Sequence, residues 1–349
     1  MTNSNTYRPP DLSKCVALVA GATRGVGRGI ALALAEAGAT VYCTGRSSRA
    51  KARAAKRAKQ LSAKAKKSAL PDTYYAGRPE TIEETAELVT ARGGKGIAVA
   101  VDHLEPEQVE KLMAKIRKEQ GKLHFLINDI SESAAHNFGQ TFWQADLKRG
   151  FAMFRNAIHT HIITSRYAAP LLIETAKSSG RSGLIVEIGD GETYTYRGNL
   201  FFDLIKTTVI RLAFAMAYEL RKKNVAAVAM TPGFLRSEVM LEHFGVTEAN
   251  WQDAVKKDAD YICSETPLYA GRAVVAMAAD PNVMKKSGRV FSTWGLSEEY
   301  PFCDADGRRP HCGRHFTGKY GDKMNPCNEG FYKYWFNGMI EAVFPDWPN

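Results

Sequence analysis

The feature that most constrains this chain is an alternation. Short, almost unbroken apolar runs recur along it, and longer stretches with helical spacing separate them. Residues 15–20 (CVALVA), 40–43, 96–101 (GIAVAV), 124–127, 184–188 (LIVEI), 225–230 (VAAVAM) and 289–293 (RVFST) read as seven strands. Residues 28–37, 107–120, about 142–177, 201–223 and 267–279 read as helices. In 107–120 the apolar positions Val109, Leu112, Met113 and Ile116 fall on one helical face. A strand that is apolar on both faces needs cover on both, and regular helical crossovers allow parallel pairing. The expected fold class is therefore α/β, a doubly wound parallel sheet of about seven strands with helices on both faces.

Two segments fall outside that rhythm. Residues 47–79 form a basic insertion. Nine Lys and Arg with no acidic residue lie between Arg49 and Lys67, and without them the net charge of +10 drops to about +1. The basicity is thus local, with no sustained apolar stripe and no aromatic before Tyr74, which argues for a solvated excursion and against a nucleic-acid partner. The second segment, 297–349, is a Pro/Gly-rich aromatic extension expected to pack on a single domain formed by 1–296. Residues 332–344 could form a short terminal helix in it. No apolar run is long enough for a membrane helix. Residues 1–10 carry no signal-peptide core, and six scattered cysteines suit a reduced cytoplasmic setting.

The chemistry concentrates first at residues 21–27, GATRGVG, which follow a strand directly and open a helix. Glycines at Gly21, Gly25 and Gly27 allow a tight turn and close backbone approach. The helix N-terminus then offers free N–H groups to a pyrophosphate, with Thr23, Arg24 and Val26 lining the turn. The second strand ends at Arg46 and Ser47, where an NAD-selective site would carry an acidic residue. An arginine fork suits a 2′-phosphate instead, and Arg24 adds a second cation, so the expected cofactor is NADP(H).

From about residue 14 to 293 the chain resembles the short-chain dehydrogenase/reductase family, whose fold is of the Rossmann type. The glycine motif matches, although Ala20 stands where a threonine is common. The resemblance implies that Asp102, with His103 beside it, lies by the adenine, and that Asn128 opens the family's N-N-A-G motif, from which Asp129, Ile130 and Ser131 depart. It also implies that Pro232 and Gly233 contact the nicotinamide and that Ser237 touches its carboxamide. The family's Y-x-x-x-K falls on Phe202 and Lys206. Lys206 fits, sharing a helical face with position 202. Phe202, however, can neither donate nor accept a proton. The family's serine position falls on Gly189 or Asp190, and its helix asparagine near Ala157, one residue from Asn156.

Three readings of Phe202 follow. The chain is a Tyr→Phe variant of a working reductase. Or another acid serves, with Asp190, Tyr194 or Tyr196 as candidates and burial raising the Asp190 pKa. Or the substrate is an iminium that needs no acid. The leading expectation is an NADP(H)-dependent oxidoreductase for a small carbonyl, alcohol or imine, working as a homodimer or homotetramer by resemblance. Its rival is a non-redox cofactor-binding protein with a sensing, structural or cyclising role. Cys303, Cys312, Cys327, His311 and His315 are too loosely spaced for a zinc site, so no metal is expected.

Overall fold

In the computed structural model, residues 7–50, 78–131, 141–192 and 196–320 are described. The heart of the basic insertion, Tyr194, Cys327 and residues 332–344 lie outside them. Seven strands form one sheet: β1 Val16–Ala20, β2 Thr40–Gly45, β3 Lys95–Ala100, β4 Phe125–Asn128, β5 Gly183–Ile188, β6 Val225–Thr231 and β7 Val290–Ser292. All pair in parallel, in the order β3-β2-β1-β4-β5-β6-β7. The order reverses between β1 and β4, and a sheet wound this way binds ligand in the crevice outside the carboxyl ends at that point.

The inner apolar runs become strands because both of their faces are covered, while the edge strands β3 and β7 are partly open. On one side α1 (Gly25–Glu36), α2 (Ile82–Ala91) and a helix at Pro267–Ala279 bury Ile30, Leu34, Val89 and Val274 against Ala17, Val19, Val41 and Ile127. On the other, α3 (Pro106–Gln120) buries the expected stripe of Val109, Leu112, Met113 and Ile116 against Leu18 and Leu126. Proline starts α3 and left-handed Gly121 ends it.

The expected long helix at 142–177 is corrected to four pieces. Phe142–Gln144 is a short 3-10 turn. Asp146 then caps α4 (Leu147–Phe154), and a π-helical turn at Arg155–His159 leads into α5 (Thr160–Ser179). The cap starts a new helix because the Asp146 side chain accepts the Arg149 N–H. After β5 come α6 (Leu200–Leu220), then α7 (Glu238–Phe244) beyond β6, α8 (Pro267–Ala279), α9 (Thr293–Glu299) and α10 (Cys312–Tyr320). The helix α9 runs across the anticipated boundary between residues 296 and 297, and beyond it Phe302 is buried 5.1 Å from the Tyr269 ring. Among the described residues, no helix is long and apolar enough to cross a membrane.

Candidate active site

The turn between β1 and α1 is held against the end of β4. Gly21 has φ +99°, and a Cβ on it would stand 2.7 Å from the Asp129 carbonyl oxygen; one on Gly27 would stand 2.4 Å from the Gly21 carbonyl. Only glycine tolerates both demands. Thr23 and Val26 are buried in the turn. Two of the backbone N–H groups that open α1 already have acidic partners. Gly27 N–H donates to Asp129 Oδ2 at 2.6 Å, and Gly25 N–H donates to Glu238 Oε2 at 2.8 Å. Arg28 lies 3.7 Å from the other Glu238 oxygen. A carboxylate from α7 is thus seated where the unpaired donors and the positive helix end favour an anion.

Arg24 precedes α1 and pairs with Glu80 at 3.2 Å, while Arg78 holds the same carboxylate. Arg46 is exposed at the end of β2, and the Ser47 carbonyl accepts the Ile82 N–H. Beyond β3, Asp102 Oδ1 accepts the Leu104 N–H. His103 sits apart from its expected role: its ring is buried between Thr44 Oγ1 (2.9 Å) and Thr164 Oγ1 (2.8 Å), so both nitrogens are engaged. Burial holds that imidazole down at about 3, hence neutral, and the ring braces β2 to α5.

Asn128 is fully buried. Its amide donates to Ser165 Oγ (2.9 Å) and to Glu187 Oε1 (2.6 Å). Glu187 is equally buried on β5, and its other oxygen meets His161 Nδ1 at 2.6 Å, while His161 Nε2 meets the Ile130 carbonyl at 3.0 Å. Both ring nitrogens therefore face oxygen, which requires a hydrogen on each contact, carried by the ring alone or in part by Glu187. This network was not anticipated. Its signal was a glutamate inside the apolar run LIVEI.

At the opposite lip, Asn199 caps α6 by accepting the Phe202 N–H, and Lys206 Nζ lies 5.5 Å from the centre of the Phe202 ring. Positions 202 and 206 are thus brought together. Lys206 also acts on Asp129. Desolvation pushes the Asp129 carboxyl up to about 7, against the opposing pulls of Lys206, the Gly27 N–H and His161. Gly189 leaves ordinary space for a side chain, with Val209 3.8 Å from an added Cβ.

The expectation of a buried Asp190 is corrected. Asp190 is exposed, and its backbone carbonyl, rather than its carboxylate, accepts Arg197 Nε at 2.6 Å. Tyr196 is 60% exposed. The helix-asparagine region falls in the π-helical turn, where Thr160 Oγ1 donates to the Asn156 carbonyl at 2.5 Å and Ala157 is buried. Pro232 and Gly233 follow β6, where Thr231 Oγ1 takes the Gly191 N–H and donates to the Pro232 carbonyl. Ser237 is spent as the cap of α7. Among the described residues, no group of three or more His, Cys, Asp or Glu is placed to hold a metal ion.

The chain as a whole is matched by known proteins. The short chain dehydrogenase model matches residues 15–71 and 72–244. Human dehydrogenase/reductase SDR family member 1 (Homo sapiens) is 29% identical over 299 residues, covering 84% of each chain. Two solved structures share the fold. One is the RhlG/NADP active-site complex of Pseudomonas aeruginosa, with TM-score 0.61, 20% identity, and coverage of 82% of this chain and 97% of that one. The other is L-sorbose reductase of Gluconobacter frateurii, complexed with NADPH and L-sorbose, with TM-score 0.60, 16% identity and the same coverage. The chain belongs to the short-chain dehydrogenase family of oxidoreductases, whose members bind nicotinamide cofactors.

Proposed function

We propose that this protein is an NADP(H)-dependent oxidoreductase for a small carbonyl, alcohol or imine, in which Phe202 fills the place of the family's proton-donating tyrosine. The observation that carries the cofactor reading is the Glu238 carboxylate on the Gly25 N–H, a negative group already accepted at the start of α1. The same donors would hold a pyrophosphate, with Gly21 and Gly27 permitting its close approach. Arg46 and Arg24 would hold the 2′-phosphate, Asp102 would face the adenine, and Lys206 would orient the nicotinamide ribose beside Pro232 and Gly233. RhlG and L-sorbose reductase, named with NADP and NADPH, support that choice by fold alone.

When bound, the nicotinamide supplies or accepts hydride. The protein positions that exchange but offers no hydroxyl at 202 or 189 to move the accompanying proton. A carbonyl would therefore react slowly, whereas an iminium, already cationic, would need no acid. Exposed Ile162 on α5 and Leu204 on α6 support a homodimer or homotetramer formed through these helices, and free thiols at all five described cysteines support a cytoplasmic setting. The test is titration of the protein with NADPH and NADH, repeated on Arg46→Ala. Tighter binding of NADPH, with a roughly 10-fold or greater loss in Arg46→Ala that spares NADH, is expected from losing charge-assisted hydrogen bonds. Equal affinity of the two cofactors would sink the NADP(H) reading, and affinity for neither would sink the whole site.

A further inference from the structure

Behind the turn that follows β6 lies a pair of cysteines that the hydride chemistry does not use. Cys263 ends the 3-10 turn Ala259–Cys263, in the stretch between β6 and α8, and Cys312 is the first residue of α10. Their sulfurs stand 2.7 Å apart, although 49 residues separate them in the chain. Both are free thiols, with Cys263 6% exposed and Cys312 2%. The Cys312 sulfur also accepts the Phe234 N–H at 3.3 Å, and it would stand only 2.8 Å from a Cβ on Gly233. The pair is therefore wedged against the segment expected to contact the nicotinamide. At the surface, His315 and Lys319 of α10 also pair with Asp260 of that layer.

We propose that Cys263 and Cys312 form a reversible, peroxide-sensitive disulfide that fastens α10 to the stretch behind Gly233. Cys263 is the attacking sulfur, because it is the more open of the two. The hydrogen bond from Cys312 draws its thiol below the ordinary range, while the same bond and burial push Cys312 up. The Cys263 thiolate attacks one oxygen of hydrogen peroxide and the O–O bond breaks. Hydroxide leaves, takes up a proton as water, and Cys263 becomes a sulfenic acid. The Cys312 sulfur then attacks Cys263 Sγ, the S–O bond breaks, and the departing hydroxide takes the Cys312 proton as a second water. The two sulfurs together lose two electrons and the peroxide gains them. A dithiol reductant reverses the change by thiol–disulfide exchange. Closing so long a loop constrains the unfolded chain and stabilises the folded one. The inference does not depend on which substrate or cofactor the crevice holds.

The experiment treats the full chain with hydrogen peroxide, blocks the remaining thiols, and maps tryptic peptides with and without dithiothreitol. The expected product is peptide 258–272 joined to peptide 309–314, with loss of two thiols per chain. It should be reversed by dithiothreitol and be absent in Cys263→Ser and in Cys312→Ser. The oxidised native chain should melt roughly 5 °C or more above the reduced one, and the two serine variants should show no such rise. Pairing of either cysteine with Cys15, Cys43, Cys303 or Cys327 instead would overturn the proposal. So would sulfinic acid on a single sulfur, or two thiols left intact at peroxide levels that oxidise surface methionines.

Discussion

The two lips of the crevice differ in how completely they are furnished. At the β1–α1 lip, glycines stand where backbone must approach backbone, the helix N-terminus carries a negative side chain, and arginines lie close by. At the β5–α6 lip, Lys206 and the helix cap are in place, but on the proposed alignment Phe202, and Gly189 or Asp190, stand where the family places tyrosine and serine. Holding a cofactor and moving a proton are thus separable tasks. The first rests on backbone geometry over many residues, and the second on two hydroxyls. A few atoms can remove the second while leaving the first intact.

The largest test of this contrast restores both hydroxyls. The double variant Phe202→Tyr with Gly189→Ser should reduce ketones about 10²–10⁴ faster than the native chain, because residue 189 has room for the added side chain. A rate unchanged by both would place the missing acid elsewhere.

Next in size is the buried network that ties the lips together beneath the crevice. Glu187→Ala removes the partner of both His161 and Asn128 and leaves them buried without it. A stability loss of about 3–5 kcal/mol is expected in denaturant unfolding. A loss below about 1 kcal/mol would mean that the network contributes little.

A smaller effect concerns the cofactor lip. Glu238 sits on the donors that a pyrophosphate would take, so Glu238→Gln should tighten NADPH binding several-fold by removing a competing charge. Weaker binding would show that Glu238 assists the cofactor rather than occupying its place.

A last test is a pH dependence. With its carboxyl raised to about 7, folded Asp129 keeps a proton that the unfolded chain releases near 4. The folded state thus binds more protons in that interval, and stability falls as pH rises from about 4 to about 7, then levels off. Asp129→Asn, which can still accept the Gly27 N–H, should lose that decline and gain relative to the native chain at pH 8. Parallel melting curves for the two proteins across this interval would exclude the assignment.

Much of this was legible in the sequence. Runs such as VAAVAM and CVALVA could only be covered strands, and GATRGVG marked a tight turn between strand and helix, the place proposed for the cofactor. What escaped has physical reasons. The helix Ile82–Ala91 follows the basic segment, whose sequence has no apolar stripe and masked the helix start, although Thr81 caps it. The π-helical turn is a matter of backbone register, which side-chain spacing does not record. The partnership of Asn128, His161 and Glu187 spans 26 to 59 residues between members, so no local pattern announces it. The same holds for Glu238, which reaches Gly25 across 213 residues. Asp190 was singled out for its place after β5, but proximity to a crevice does not ensure burial.

The most direct measurement compares the native chain with Phe202→Tyr alone, under saturating NADPH, on one activated ketone and one preformed iminium. The account predicts equal NADPH affinity for the two proteins, a ketone rate at least about 10²-fold higher in the tyrosine form, and matching iminium rates. A native chain that already reduces the ketone as fast as the tyrosine form would contradict it.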